Sequence, residues 1–263
     1  MNIDEEQKHK DLLEKALKRK EKYLSENRHY RLQEALMHRH DAGKFIGDFI
    51  YGANDGIITT FAVVAGAAGA SLSPTVIIIL GFANLLADGI SMGASNFLGG
   101  KSERDYAAFQ REKENWEIDH LPELETEEIR EIFEKKGFAG KDLDRVVEVI
   151  TSDRKVWLDT MMRDELDILE NPKDDPKIHG LATFGAFVIA GLFPLIPFIL
   201  PIGGNVFLLS VIFGVLTLFI VGALRSVVTA VSWFRGGMEM FLVGSAAASV
   251  AYFVGAFVER LVR

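Results

Sequence analysis

The sequence predicts an all-α fold: five membrane-spanning helices in a bundle, with a helical domain inserted between the second and the third. Three observations predict it. First, charge is segregated. Of 37 acidic residues only Asp48, Asp55, Asp88, Glu239 and Glu259 lie outside 1–45 and 100–177, and of 29 Lys and Arg only Arg225, Arg235, Arg260 and Arg263 do. Second, the remainder forms five apolar runs, 46–71, 75–99, 179–200, 205–224 and 238–258, each near the roughly 20 residues that cross about 30 Å of hydrocarbon. Third, Pro74, Pro201 and Gly203-Gly204-Asn205 stand in the short connections, where a helix must stop and reverse. A composition of 49% hydrophobic and 25% charged residues would suit a soluble domain; the segregation excludes one. The absence of Cys excludes a disulfide-stapled fold. A net charge of -8 argues against a nucleic-acid partner, which needs a basic face. The charged first 45 residues offer no apolar core for a cleavable signal peptide.

The domain boundaries follow: 1–45, spans one and two over 46–99, an acidic domain over 100–177, and spans three to five within 178–263. Pro194, Pro197 and Pro201 should kink or end the third span. Gly244, Ser245, Ala246, Ala247, Ala248 and Ser249 let the fifth approach its neighbours closely. With the N-terminus in the cytoplasm, the segments on that side hold 27 basic residues and the opposite side only Arg260 and Arg263. That asymmetry sets the orientation and puts the C-terminus outside. Residues 1–45 read as a charged helix with a thin stripe of Leu12, Leu13, Leu17 and Leu24, lying on the membrane surface or against the inserted domain. Its histidines, His29, His38 and His40, are either solvated or available to a metal.

Segment 100–177 carries 23 acids against 14 bases, so the chain's negative charge is concentrated there. The second span should continue as one helix to about Asp119, a further helix should follow Pro122, Gly137 and Gly140 should break the chain, and two helices should cover 141–150 and 153–170. Val146, Val147, Val149, Ile150, Trp157 and Leu158 are core candidates. Within the segment, Glu114 and Glu117 share a helix face at i,i+3, Glu125 and Glu128 repeat that spacing, and Met161 and Met162 precede Glu165 by about one turn. Like charges on one face repel unless a cation neutralises them. Carboxylates alone suit Mg²⁺, Ca²⁺ or Mn²⁺; a thioether moves the preference toward Fe²⁺ or Zn²⁺. A solvated acidic surface with Met as core filler accounts for the same spacing.

Inside the spans, Asp48, Gly52, Asp55 and Thr59 fall on one face of the first, and Asn84, Asp88 and Met92 on one face of the second, continued by Ser95 and Asn96. A carboxylate in the membrane usually faces a cavity and marks an ion path. Asp55 and Asp88 have no basic residue near them in either span, so each must be protonated, hydrated or bound to a cation. Met92 adds a soft ligand that an alkali-ion path would not need. A polar helix-packing contact is the alternative, more so for Asp48, nearer the interface.

Three runs, Tyr51-Gly52-Ala53-Asn54-Asp55-Gly56, Asp88-Gly89-Ile90-Ser91-Met92-Gly93 and Trp157-Leu158-Asp159-Thr160-Met161-Met162-Arg163-Asp164-Glu165-Leu166, occur in an order and at separations that resemble the vacuolar iron transporter family. The resemblance covers about 40–258. It implies a five-span homodimer with an inserted cytoplasmic helical metal-binding domain, exporting Fe²⁺, and also Mn²⁺ or other divalent ions, from the cytoplasm in exchange for protons. It implies that the family's pore aspartate and methionine fall on Asp55 and Met92, and its cytoplasmic metal ligands on Glu114, Glu117, Glu125, Glu128, Met161, Met162 and Glu165. Relatives from plants carry a glutamate in span two where this chain has Asn84; Asp88, one turn on, can take over its charge. No prosthetic group is expected, the divalent metal being cargo, and the partners are lipid, metal ions, protons and a second copy of the chain.

Two other classes are weighed. A membrane-anchored metal sensor or buffer explains the glutamates of 100–177 but gives no reason for Asp55 and Asp88 in lipid. A di-iron enzyme needs paired Glu-x-x-His motifs, and the segment offers only Glu117 and His120. An enzyme is therefore not expected. With no targeting segment recognised, a prokaryotic cytoplasmic membrane is the expected location.

Overall fold

In a bilayer no water satisfies the backbone, so an apolar run must pair its own N–H and C=O groups as a helix. The computed structural model of the chain describes residues 3–26, 42–169, 174–200, 203–227 and 231–262, and these are nearly all helical, with no strand among them. In chain order the helices are α1 (Ile3–Glu26), α2 (Ala42–Gly69), α3 (Pro74–His120), α4 (Pro122–Lys135), α5 (Gly140–Thr151), α6 (Arg154–Thr160), α7 (Pro176–Leu192), α8 (Val206–Leu224) and α9 (Trp233–Val262). Five of them, α2, α3, α7 with its short continuation to Ile199, α8 and α9, are long and apolar enough to cross a membrane. Two compact units are formed, one from residues 1–95 with 179–263 and one from 96–178. His29, His38 and His40 lie outside the described residues.

In the membrane unit α2 is central. Its buried face, Ala53, Ile57, Phe61 and Ala65, packs with Ala186 and Ala190 of α7, Leu218 and Val221 of α8, and Met240 and Ala248 of α9. A second cluster joins Val64 and Ala67 to Ile77, Leu85, Phe187 and Leu195, with Met92 packed against it. Small residues permit backbone-to-backbone contact. A Cβ on Gly56 would stand 2.2 Å from the Phe187 carbonyl oxygen of α7, and one on Gly255 of α9 would stand 2.0 Å from that of Gly66. Such close approach is how helices associate in lipid, where apolar burial alone provides little drive. The outward faces stay apolar: Ile79 and Ile90 on α3, and Leu242, Val250, Phe253 and Phe257 on α9, are exposed to the phase that lipid would occupy.

Proline shapes the third span as expected. After Leu192 the helix tightens into a 3₁₀ turn, Phe193–Leu195, and ends with Ile196–Ile199. Pro197 has no N–H to donate, and the Ser210 hydroxyl of α8 donates to the Pro194 carbonyl at 2.6 Å. The fifth helix begins at Trp233, earlier than its apolar run, because Arg235 and Glu239 lie in its first two turns and pair with each other at 3.3 Å.

The second unit has its own core of Ile118, Ile129, Ile132, Leu143, Val147, Ile150, Trp157 and Met161, with Phe133, Val146 and Leu158 packed against it. Val149 is half exposed instead, on the opposite face of α5. The helix expected over 153–170 is shorter: α6 gives way at Met161 to one π-helical turn, Met161–Glu165, closed by Leu166 N–H donating to the Met161 carbonyl. Asp153 caps α6 by accepting from the Lys155 and Val156 amides. Arg154 ties α6 to α3 through Asn115 and Asp119, and Arg111 of α3 pairs with Asp159 at 2.8 Å.

If backbone contact between α2 and α7 holds the membrane unit together, Gly56→Ala must separate them. Overpacking of this kind should lower the thermal midpoint in detergent by about 5 °C. Gly185→Ala, which meets nothing within 4 Å, should leave the midpoint unchanged; a Trp-fluorescence melt of the two variants checks the pair.

Candidate functional site

The carboxylates of the second unit come together because α3 and α4 are joined by a single residue, Leu121. Pro122 opens α4 and cannot continue α3; the Leu124 and Glu125 amides both donate to the Leu121 carbonyl. This reversal brings the first turn of α4 to the last turns of α3. Ligand oxygens of Glu114, Glu117 and Glu125 lie within 4.8 Å of one another. Glu114 and Glu125 are each only 2% exposed, and one oxygen of Glu125, Oε2, is buried without a hydrogen-bond partner. Buried carboxylate oxygens are normally satisfied, so this arrangement suits a proton or a cation.

Burial first, and the neighbouring carboxylates second, push Glu125 up to about 7. Burial likewise raises Glu114 and Glu128, with Glu117 adding to both and Glu128 adding to Glu114. Glu165, on the π turn, is also pushed up to about 7 by desolvation and by Glu114 and Glu128; it stands exposed at the rim, where solvent screens it, so Glu125 dominates the pH dependence. Five of the seven sequence-expected ligands, Glu114, Glu117, Glu125, Glu128 and Glu165, are thus close enough to repel one another. The two methionines are buried on the π turn, and Met161 packs in the apolar core beside Ile118 and Trp157. Lys113, not singled out by the sequence reading, reaches forward one turn to Glu117 at 2.9 Å and lies 3.7 Å from Glu114; its i,i+4 spacing was the available signal.

In the membrane unit, Asp55 and Asp88 are half buried and near enough to repel each other. The Thr59 hydroxyl donates to the Asp55 carbonyl at 2.8 Å, which turns it away from the Asp55 carboxylate. Asn84 Nδ2, Asn54 Oδ1 and Thr60 Oγ1 are buried without a hydrogen-bond partner among the described residues. Asp48 makes the polar helix-packing contact weighed for it: it pairs with His179 Nδ1 at the start of α7, and that ring lies 4.9 Å from Phe45. The pairing joins residues 131 apart in sequence, and only packing of α7 on α2 discloses it.

The model of the VIT family matches residues 46–256. The chain belongs to the VIT family. This VIT family chain is 32% identical over 235 residues to a protein named vacuolar iron transporter from Toxoplasma gondii, covering 86% of this chain and 78% of the relative. It is 33% identical over 221 residues to vacuolar iron transporter 1 of Arabidopsis thaliana, covering 83% and 88%, and 31% identical over 245 residues to the vacuolar iron transporter of Plasmodium berghei, covering 88% and 89%. With its five spanning helices it is a multi-pass integral membrane protein.

The raised carboxyls fix the direction of two pH effects. Glu125 is protonated more readily in the fold than in the unfolded chain, so stability falls as pH rises from about 4.5 through about 7. The thermal midpoint of the metal-free protein should therefore drop between about pH 5 and pH 8, and saturating Mn²⁺ should reverse the drop. A metal bound at the cluster would have to displace that proton, so Mn²⁺ affinity should weaken about fivefold as pH is lowered from about 7 to 6. A pH-independent affinity in titration calorimetry would count against the cluster as the binding site.

Proposed function

We propose that this VIT family member is a proton-coupled divalent-metal transporter that carries Fe²⁺, and also Mn²⁺, out of the cytoplasm. The observation that carries the reading is the crowding of Glu114, Glu117 and Glu125, with a buried and unpartnered Glu125 oxygen, in a chain whose spans also hold Asp55 and Asp88. A set of glutamate oxygens binds divalent ions without great selectivity among Fe²⁺, Mn²⁺ and Zn²⁺. The names of the relatives favour iron. In this reading Glu114, Glu117, Glu125, Glu128 and Glu165, with Met162 on the π turn, capture the ion on the cytoplasmic side, and Met161, packed in the apolar core, supports that turn. The distribution of Lys and Arg supports that orientation.

Transport then runs through Asp55, Asp88, Met92 and Asn84. A divalent ion neutralises the mutual repulsion of the two aspartates, and Met92 supplies a soft contact that prefers Fe²⁺ to Mg²⁺ or Ca²⁺. Protons arriving from the outer side neutralise the same carboxylates and release the metal, so exchange needs no further machinery. With Asn84 in place of a glutamate, Asp55 and Asp88 are the proton carriers. A two-fold homodimer is part of the proposal. It is supported by the exposed small residues Ala83, Ala87, Ser91, Ala94 and Ser95 along α3, which allow close helix contact in lipid. A metal buffer without transport leaves the membrane aspartates without a purpose.

Proteoliposomes test the proposal. Acidifying the compartment that receives the metal should accelerate Fe²⁺ flux; Asp55→Ala should abolish it, and Met92→Ala should reduce it about tenfold or more. Normal flux through the Asp55→Ala protein would end the assignment.

A further inference from the structure

We propose that Lys113 is a built-in, displaceable cation of the glutamate cluster, which weakens divalent-metal binding there. The inference rests on the metal-binding reading of that cluster. Lys113 is the basic group that sits on it: its ammonium lies 2.9 Å from Glu117 Oε2 and 3.7 Å from Glu114 Oε1. Those two carboxylates, with Glu125, form the convergent group of oxygens. The buried, unpartnered Glu125 Oε2 shows that the ammonium does not satisfy all of them.

The placement has two consequences. Without metal, a positive charge at this range lessens the mutual repulsion of the glutamates and keeps them assembled in one place. With metal, the same charge confronts a divalent ion that needs the same oxygens, and the two cations repel. Lys113 is built to withdraw. Its side chain is half exposed, its stem is flexible, and an ammonium holds a carboxylate as a point charge without the fixed fork of Arg. Three other basic groups of the unit are committed elsewhere: Arg111 to Asp159, Arg154 to Asp119, and Lys136 to Asp164. A captured ion is therefore held loosely enough to be passed on, which a transporter requires and a storage site does not.

Mn²⁺ titration of the full-length protein in detergent at about pH 8, where the glutamates are ionised, tests this with the unaltered chain and four variants. Lys113→Gln should bind Mn²⁺ about tenfold more tightly than the unaltered chain. Lys113→Arg, which keeps the charge, should stay within about twofold. Lys135→Gln removes an exposed i,i+4 pair with Glu131 elsewhere on α4 and should change nothing. Equal or weaker binding by Lys113→Gln, while the unaltered chain binds and Glu125→Gln does not, would overturn the role of Lys113 and leave the metal site standing. If the unaltered chain binds no Mn²⁺, or Glu125→Gln binds it unchanged, the metal-binding reading fails and the role of Lys113 fails with it.

Discussion

A carboxylate held where water is scarce must find a positive charge, give up its ionisation or destabilise the fold, and this constraint recurs at both polar centres of the molecule. In the helical unit it raises Glu114, Glu125 and Glu128 above ordinary glutamates. In the spans it sets Asp55 against Asp88, with no Lys or Arg near them in either span. Neither arrangement favours the stability of the metal-free chain. In the proposed function a divalent ion offsets both. Such crowding in two separate places is the feature on which the proposed cation path rests.

The rest of the architecture makes the crowding tolerable. In the helical unit, eight buried apolar residues from α3, α4, α5, α6 and the π turn form the core. Ion pairs such as Arg154 with Asp119 and Arg130 with Asp144 lock the helices while leaving the glutamate cluster out of their exchanges. The π turn has a specific consequence. One extra residue in the turn shifts the register, so Met161 faces the apolar core while Glu165 reaches the carboxylate rim. In the membrane unit, contacts such as Gly56 against Phe187 fix α2 against α7 without relying on apolar burial. The Asp48–His179 pair adds a polar tie between the same two helices.

Much of this was legible in the sequence. The five spans, the turns at Pro74 and around Gly203, the unbroken α3 and the start of α4 at Pro122 all depend on hydropathy, helical period or a missing amide. These properties act between residues a few positions apart. For the same reason the pairs Glu114 with Glu117 and Glu125 with Glu128 could be placed on helix faces. Which face looks inward is not fixed by the period: Val146 and Val149 are both apolar and three apart, yet only Val146 packs on the core.

What only the tertiary structure decided is where separate faces meet. That Glu125 closes on Glu114 and Glu117 depends on the one-residue reversal at Leu121. That its second oxygen is left bare depends on which side chains come close. That Asp48 finds His179, 131 positions away, depends on the packing of α7 against α2. Periodicity along a chain determines helices and their stripes because those arise from local backbone geometry. The loss of water around a charge, and the partner offered in its place, arise only when distant segments pack, and that is where the chemistry of this molecule was settled.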